Sequence, residues 1–227
     1  MSVILFIVSI VVAYLIGSLN FSVLISKHVF KDDIRNSGSG NAGATNMLRT
    51  YGTKWGVTTL VLDVLKGVVA VGIAIFLRDL SIALAVDKEQ LIYGVYSYGA
   101  ACFVTLGHIF PFEFGFKGGK GVSTMLGALL VANPLFAFLA LIIGVLTITL
   151  SKYVSLGSVI GGCVFLVCIM VSAYYCMINV GQVVFCVITV GVMIFKHKTN
   201  ISRLINNQEN VISFRPSEAG ANDNEEE

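Results

Sequence analysis

Long hydrophobic runs separated by short polar segments make up most of the chain. A membrane-spanning helix needs roughly 20 mostly apolar residues, and runs of about that length or shorter occupy residues 3–25, 55–77, 90–110, 122–132, 135–150, 158–178 and 180–195. Because proline cannot continue a helical hydrogen-bond ladder and asparagine favours a turn, Asn133-Pro134 separates the fourth run from the fifth. The pattern predicts an all-α membrane protein, a polytopic bundle of about seven transmembrane helices, with six helices as the alternative.

Composition supports lipid as the main solvent of the chain. Of 227 residues, 56% are hydrophobic and 12% are charged, whereas a soluble domain carries about a quarter charged residues. A soluble enzyme, a disordered protein and a nucleic-acid-binding protein are therefore disfavoured. We expect one integral membrane domain over residues 1–216, followed by a disordered acidic tail over residues 217–227.

The basic residues indicate how the bundle is oriented. With seven spans, twelve of the 15 Lys and Arg residues fall on the side that holds the C-terminus, whereas Arg78 and Lys88 fall on the other side and Lys66 lies within a span. Positively charged loops remain in the cytoplasm, so we expect the N-terminus outside and the C-terminus in the cytoplasm. The first run is too long for a signal peptide and has no positive segment before it, so we expect it to be retained as a helix.

The five cysteines lie inside apolar runs, without a CxxC pair or a neighbouring histidine. Zinc sites need such clusters of ligands. We therefore expect no metal site and interpret the cysteines as small core residues.

The first polar loop, residues 35–49, reads RNSGSGNAGATNMLR and is rich in small residues. Small residues allow backbone N–H groups to approach an anion, as in phosphate-binding nests. Arg49 is suited to close such a site with two parallel hydrogen bonds to phosphate. Additional side-chain donors are Ser39, Asn41, Thr45 and Asn46. The alternative is a flexible loop that ends in an arginine reaching the membrane surface.

The second polar loop, residues 107–124, reads GHIFPFEFGFKGGKGVST. Backbone N–H groups of Gly118, Gly119 and Gly121 would lie at a helix start, where unsatisfied donors and the helix dipole attract an anion. Lys117 and Lys120 supply positive charge. The loop is not a Walker A motif, because phenylalanine stands at the first glycine position and glycine stands where Ser or Thr would hold magnesium. It predicts phosphate binding without nucleotide hydrolysis; the alternative is a basic loop with flexible glycines.

A third polar segment follows the last apolar run and contains His197, Lys198, Asn200, Arg203 and Glu209. His197 and Asn200 share a face if the helix continues. Between the fifth and sixth runs, Lys152, Ser155 and Ser158 form a small polar turn. A protruding helix end with solvated charges explains the third segment almost as well.

Three further residues and two motif matches bear on structure or function. Asp63 and Lys66 are three residues apart, which predicts an ion pair that tethers their helix to its neighbours. His108, among aromatic residues, suits an interface anchor better than a base. His28 and Asp33 match the spacing of a different acyltransferase class, in which the histidine is a general base. Gly38, Gly40 and Gly43 match GxGxxG, but the βαβ unit that gives this fingerprint its meaning is missing.

Together these motifs resemble the bacterial PlsY-type acyl-phosphate:glycerol-3-phosphate acyltransferases. The match extends over nearly the whole chain. The matching segments are SGSGNAGATNMLR at 37–49, DVLKG at 63–67, GHIFPFEFGFKGGKGVST at 107–124, SLGS at 155–158 and HKTNISRL at 197–204. Ala42 and Asn207 depart from the family, in which proline and glycine, respectively, are frequent at these positions.

The resemblance implies a seven-helix enzyme of the bacterial inner membrane whose active site faces the cytoplasm. It would move a fatty acyl chain from acyl phosphate to the sn-1 hydroxyl of glycerol 3-phosphate, giving lysophosphatidic acid and phosphate for phospholipid biosynthesis. No cofactor and no metal are implied. Acyl chain length and oligomeric state are left open, a monomer being the simplest expectation.

By the same resemblance, the catalytic residues are Ser39, Arg49, Lys120, His197 and Asn200. The implied substrate-binding residues are Gly38, Gly40, Asn41, Gly43, Thr45, Asn46, Lys117, Gly118, Gly119, Gly121, Ser158 and Glu209. The family is thought to form no covalent acyl-enzyme and to use a substrate phosphate as proton acceptor. Because acyl phosphate is already activated, positioning two anions and stabilising the developing oxyanion would supply most of the rate.

Two rival functions remain at this point. A transporter for a phosphorylated solute would place its site at the bilayer midplane, on broken helices from internal repeats, but the polar segments here gather at one interface and no repeat is evident. An acyltransferase that uses coenzyme A or acyl carrier protein would instead depend on His28 and Asp33.

Overall fold

Glycine, proline and asparagine residues divide the apolar runs into helices. The computed structural model describes residues 2–84 and 93–212. Across these residues the chain forms ten α-helices and no strand: α1 Ser2–Ser18, α2 Phe21–Val29, α3 Ala44–Tyr51, α4 Thr53–Leu84, α5 Tyr93–Ile109, α6 Val122–Ala132, α7 Pro134–Ser151, α8 Val154–Tyr174, α9 Val180–Lys196 and α10 Lys198–Ile205. The predicted all-α architecture is confirmed, while Lys88 and the predicted tail at 217–227 lie outside the described residues.

Four helical segments are long and apolar enough to cross a membrane by length and composition: Val3–Val29, which joins α1 to α2, and helices α4, α7 and α8. Helices α9 and α10 add a fifth if this pair, bent by 55°, is counted as one span. Helix α6 has 11 residues, so it is about 16 Å long, roughly half of the ~30 Å hydrocarbon core. Seven complete crossings, and the side on which each terminus lies, stay predictions.

The first span is interrupted between α1 and α2. Asn20 caps α2, because its side-chain oxygen accepts a hydrogen bond from the Val23 amide at 3.2 Å. The break directs the carbonyl groups of Gly17 and Leu19 towards α4. There, Nζ of Lys66 donates to both oxygens, at 3.2 and 2.8 Å.

Glycines let the helices around α4 and α5 approach closely. A β-carbon at Gly17 of α1 would lie 2.1 Å from the Val104 carbonyl oxygen of α5. A β-carbon at Gly67 of α4 would lie 2.2 Å from the Thr124 carbonyl oxygen of α6. Small residues are a usual means of packing helices in lipid, where burial of apolar surface does not drive helix association. These contacts place α6, and with it the end of the second polar loop, directly against α4.

A charged network is buried between α1, α4 and α5. Asp63 and Lys66 form an ion pair of 2.9 Å, and each side chain is 2% exposed. This confirms the ion pair that the spacing predicts. Lys66 also donates to Nδ1 of His108 on α5 at 2.8 Å, which leaves Nε2 as the protonated nitrogen of this imidazole. The anchoring role predicted for His108 agrees with its burial and with these contacts.

Cysteine burial differs in part from the sequence-based expectation. All five thiols are free; Cys102 and Cys186 are buried, but Cys163 and Cys176 are exposed. Because lipid tails are as apolar as a protein core, an apolar residue in a membrane helix is tolerated on the outer face as well as on the inner face. Apolar surroundings in the sequence therefore do not place a residue in the core.

Replacing Lys66 with methionine should lower the free energy of unfolding by about 3–5 kcal/mol, because the Asp63 carboxylate would stay buried without its partner. The double variant Asp63→Asn/Lys66→Met removes both charges and should recover part of that loss. Thermal unfolding in a single detergent measures both effects. Unchanged stability of the Lys66→Met variant would contradict a stabilising pair.

Candidate active site

The first polar loop turns at two glycines and is stabilised by hydrogen bonds to the side chain of Asn46. Gly38 and Gly40 adopt left-handed conformations, with φ of 58° and 71°, which side chains disfavour. Oδ1 of Asn46 accepts a hydrogen bond from the Ser39 amide at 2.9 Å. A β-carbon at Gly38 would lie 2.4 Å from the same oxygen, so the loop needs glycine there on both grounds.

Asn46 is 1% exposed and lies under the loop. Its Nδ2 donates to the carbonyl oxygens of Ile34 and Ser37 at 3.1 and 3.0 Å. With both ends of the amide engaged by the chain, this side chain shapes the loop. That differs from the expectation that Asn46 is a donor to substrate.

The second polar loop is anchored to the end of α5. The amides of Gly118 and Gly119 donate to the carbonyl oxygens of Ile109 and His108, both at 3.2 Å. The sequence-based expectation of free amide donors at these two glycines is therefore wrong, because backbone carbonyls occupy them. Gly121, with φ of 83°, is the N-cap of α6, so the unsatisfied helix-start amides are those of residues 121–124.

The two polar loops meet at Gly119. A β-carbon at this position would lie 2.2 Å from Nε2 of His108 and 2.4 Å from the carbonyl oxygen of Ala42. Gly119 is therefore required for close approach of the loops, and the imidazole of His108 forms one wall of the contact.

Arg35 joins the same two loops on the solvent side. Its guanidinium pairs with Asp33 at 2.6 Å and donates to the Phe114 carbonyl oxygen at 2.9 Å. The hydrogen bond from Arg35 is the main reason that the pKa of Asp33 is lowered to about 2. Asp33 is thus committed to Arg35, and Nδ1 of the exposed His28 donates to the Leu24 carbonyl oxygen at 2.8 Å. The two residues do not form the catalytic pair of the rival acyltransferase class.

A hydrogen-bonded chain connects the second loop, α10 and α8. Nζ of Lys120 donates to Oδ1 of Asn200. Nδ2 of Asn200 then donates to Oε1 of Glu209 at 2.7 Å. The hydroxyl of Ser155, at the start of α8, donates to the same carboxylate oxygen at 2.9 Å. These four residues come from three distant parts of the chain and form one polar cluster. We call the region around this cluster the polar space.

Positive charge exceeds negative charge around this space. Lys120 and Arg49 both interact electrostatically with Glu209 and with Arg203. Arg49, on α3, is half-buried and donates to the Asn210 carbonyl oxygen at 3.3 Å. Three cations therefore lie around one carboxylate, an arrangement that favours a bound anion.

Burial lowers the pKa of Lys120 to about 8. The nearby carboxylate of Glu209 opposes this shift, and the positive charges of Arg49 and Arg203 add to it. Burial also lowers the pKa of Arg49. Both cations are thus held in a partly dehydrated site, where an anion interacts with them more strongly than in water.

His197 lies at the bend between α9 and α10 and is 2% exposed. Its Nδ1 donates to the Met193 carbonyl oxygen at 2.8 Å, so the neutral ring presents Nε2 as an acceptor. His197 lies within electrostatic range of Lys120 and Glu209, which places it at the same polar space.

An apolar groove lies in the bundle, and its lining includes Val122, two residues after Lys120, and Ser158, one turn after Ser155. It lies between α6, α7 and α8 and has a volume of about 110 Å³. Ser158 lies in its wall, with the hydroxyl donating to the Val154 carbonyl oxygen at 2.9 Å. Ser158 therefore lines an apolar surface, in contrast to the expectation that it cradles phosphate. The lining includes Val122, Met125, Leu129, Gly144, Val145 and Phe165.

The model of the family described as glycerol-3-phosphate acyltransferase matches residues 7–207. The chain belongs to the glycerol-3-phosphate acyltransferase family. This confirms the family that the sequence motifs indicate.

Relatives and solved structures agree with this assignment. The glycerol-3-phosphate acyltransferase of Clostridioides difficile (strain 630) is 42% identical over 213 residues, which cover 93% of this chain and 98% of the relative. That of Thermoanaerobacter pseudethanolicus is 40% identical over 196 residues, covering 86% of this chain and 89% of the relative. The crystal structure of PlsY (YgiH), an integral membrane glycerol 3-phosphate acyltransferase, aligns in its glycerol 3-phosphate form with a TM-score of 0.77 and 31% identity over 92% of this chain and 96% of that one. The lysophosphatidic acid form aligns with a TM-score of 0.74.

Placement of the predicted site residues falls into two groups. Arg49, Lys120, His197, Asn200 and Glu209 surround the polar space. Apart from Ser158, which lies on α8 in the groove wall, the remaining predicted residues lie on the two loops. Ser39, Gly40 and Lys117 are exposed, while Asn41, Gly43 and Thr45 are partly buried around the start of α3. No group of three or more His, Cys, Asp or Glu side chains in residues 2–84 and 93–212 is arranged to hold a metal ion.

Sequence reasoning did not assign a site role to Ser155, Arg203 or Arg35. Ser155 and Arg203 were visible as members of polar segments, but only the folded chain brings them to Glu209. Asn207, which replaces the glycine frequent in the family, adopts a left-handed conformation with φ of 55°. Asparagine tolerates this conformation, so the turn that carries Glu209 is kept.

Gly119→Ala should lower both thermal stability and activity, because a β-carbon would overlap the ring of His108 and the carbonyl oxygen of Ala42. Gly72→Ala on α4 is the matched control, since a β-carbon there has no neighbour within 4 Å. Thermal unfolding and acyltransfer rates measure the two effects. Equal behaviour of the two alanine variants would contradict the close loop contact.

Proposed function

We propose that the chain transfers a fatty acyl group from acyl phosphate to the sn-1 hydroxyl of glycerol 3-phosphate, releasing lysophosphatidic acid and phosphate. One observation carries the proposal: an anion-favouring polar space adjoins an apolar groove. Substrates that are phosphates at one end and hydrocarbon at the other match this pair of surfaces. The glycerol 3-phosphate and lysophosphatidic acid forms of the PlsY neighbour support the acceptor and the product.

Charge placement suits two phosphates held side by side. Two anions repel each other, so they need shared cations between them. Arg49, Lys120 and Arg203 approach the space from α3, the second loop and α10, and burial of Lys120 and Arg49 strengthens their attraction for phosphate. Ser39 and the amides at the starts of α3 and α6 add neutral donors. Holding both substrates together makes a bimolecular step effectively unimolecular.

The groove between α6, α7 and α8 receives the acyl chain in this proposal. Val122, at the mouth of the groove, directly follows Gly121 of the second polar loop, and Ser158 lies one turn beyond Ser155. The acyl carbonyl would then lie at the junction of groove and polar space. Donors there stabilise the oxyanion that develops as the acceptor hydroxyl attacks.

The chemistry needs no covalent intermediate on the protein. The acceptor oxygen forms a bond to the acyl carbon, the bond from that carbon to the phosphate oxygen breaks, and the hydroxyl proton passes to a phosphate oxygen. In this proposal, Nε2 of His197 and the second carboxylate oxygen of Glu209 orient the acceptor hydroxyls. That carboxylate oxygen is buried and has no hydrogen-bond partner among the described residues. Asn200 fixes Lys120 relative to that carboxylate.

The proposed setting is the bacterial inner membrane, with the polar space open to the cytoplasm. The excess of Lys and Arg residues on this side supports that orientation. A monomer is the simplest assembly for this proposal.

The decisive assay is phosphate release by purified protein given palmitoyl phosphate, with and without glycerol 3-phosphate, with palmitoyl-coenzyme A as parallel donor. We expect release that requires both glycerol 3-phosphate and acyl phosphate.

Activity with the coenzyme A donor alone would contradict the proposal and would make His28 and Asp33 catalytic candidates again. In that assay His28→Ala should retain full activity, because His28 is exposed and its Nδ1 bonds to its own helix. Inactivity with both donors would direct attention to solute transport.

Ser39→Ala and Arg49→Ala should each abolish acyl transfer while leaving the protein folded in detergent, because both lie on the donor-rich first loop and its following helix. Arg78→Ala, at the far end of α4, is the matched control and should retain activity. Rates and thermal unfolding are compared for the three variants. Near-normal turnover of either site variant would remove this model of the site.

Activity should fall at alkaline pH because Lys120 loses its charge. Its pKa of about 8 lies below the usual lysine value, so the positive charge present at neutral pH is lost as pH rises through 8. The apparent KM for glycerol 3-phosphate should then increase, by about fivefold between pH 8 and pH 9 if protonation of Lys120 is required. Lys120→Arg, whose guanidinium stays charged, should remove this rise. A rise of equal size in the arginine variant would exclude Lys120 as its origin.

A further inference from the structure

The apolar groove has a closed inner end. It begins at Val122 and Ser158, near the starts of α6 and α8, and its deepest lining residues on these helices are Leu129 and Phe165. At 1.5 Å per residue the inner end lies about 10 Å from the mouth along either helix. The groove therefore reaches only part of the way into the bundle.

Leu129 and Phe165 form a thin wall at that end. They are 5% and 1% exposed, and Phe165 packs edge-to-face against Phe136, with ring centroids 6.5 Å apart. The same two side chains also line a separate narrow gap on their other side. That gap is bounded by Tyr98, Ala101, Cys186, Thr189 and Val190. Removing either wall residue would join the groove to this gap.

The depth of the groove is short for a long acyl chain. A chain that reaches the middle of a bilayer is about 15 Å long, half of the ~30 Å hydrocarbon core, whereas the groove offers about 10 Å. Val145, which lines the groove towards its mouth, is 52% exposed, so the groove is open to lipid on one side. Methylene groups that do not fit between the mouth and the wall must leave by this open side. Those methylene groups contact lipid instead of the protein.

We propose that Leu129 and Phe165 determine acyl chain-length selectivity by ending the acyl groove. The proposal rests on the proposed function, since it needs an acyl chain in the groove. Chain segments between the mouth and the wall contact protein and contribute to recognition, while segments beyond the wall do not. Moving the wall should therefore change which chain length is preferred.

The test is competition between decanoyl phosphate and palmitoyl phosphate at equal concentrations with glycerol 3-phosphate, read as the ratio of the two lysophosphatidic acids by mass spectrometry. Phe165→Ala should shift this ratio about tenfold towards the palmitoyl product, the lower end of what one methylene group contributes in an enclosed apolar pocket. Phe138→Ala, a lipid-exposed phenylalanine on α7 that does not line the groove, should leave the ratio unchanged. An unchanged ratio in a folded Phe165→Ala variant would overturn the proposal.

Two further variants keep the test decisive if Phe165→Ala does not fold. Leu129→Ala removes the other half of the wall and should shift the ratio in the same direction. Ala137→Leu adds bulk at the inner end of the groove and should shift the ratio towards the decanoyl product. Shifts in the same direction for both variants would contradict a wall at this position. Failure of the unsubstituted protein to use either acyl phosphate would instead contradict the proposed function, on which the wall depends.

Discussion

The buried contact between Lys66 and its partners is the interaction on which the rest of the structure depends. Its ammonium group binds the Asp63 carboxylate, the carbonyls at the break between α1 and α2, and Nδ1 of His108. His108 in turn accepts the amide of Gly119 through its carbonyl, and its ring abuts the point where the two polar loops meet. Lys66 thus fixes α1 and α5 relative to α4. Through His108, it also fixes the position of the second polar loop, which carries Lys120. Burying a charge is costly unless it is fully paired, and here several partners from separate elements share that pairing.

The polar space follows from this scaffold. Arg49, Lys120 and Arg203 carry like charges and would separate in a flexible chain, but the helices α3 and α10 and the second polar loop that carry them are held by backbone or buried contacts. Glu209 reduces their repulsion through the hydrogen bonds that Asn200 and Ser155 donate to it. The result is a site with excess positive charge in the absence of substrate, which becomes more stable when phosphate enters. This arrangement agrees with the proposed transfer between two phosphorylated substrates, which depends on positioning more than on a nucleophile.

Local pattern was sufficient to predict part of this arrangement. Apolar runs and Asn133-Pro134 predicted the all-α architecture and the separation of α6 from α7, but not the break between α1 and α2. The spacing of Asp63 and Lys66 predicted their ion pair, because such a pair depends on neighbours within one turn. Partners distant in sequence were not predictable in the same way. Nothing local to Gly118 or Gly119 indicates that carbonyls at the end of α5 occupy their amides, and nothing near Ser155 indicates Glu209, 54 residues away. Asn46 has the composition of a substrate donor, yet packing assigns its amide to the loop. The motifs thus predicted which segments form the polar surface. Which groups on that surface hydrogen-bond to each other could be seen only in the folded structure.

Equilibrium binding of radiolabelled glycerol 3-phosphate to the purified protein, without acyl donor, tests the central claim that this cationic space is the acceptor site. We predict saturable binding of one molecule per chain. Arg203→Gln, which removes a cation that no motif singled out as catalytic, should weaken that binding by about tenfold, since a hydrogen bond to a charged group contributes roughly 1.5–3 kcal/mol. Unaltered affinity after neutralising both Arg49 and Arg203, or no saturable binding by the folded protein, would contradict the account.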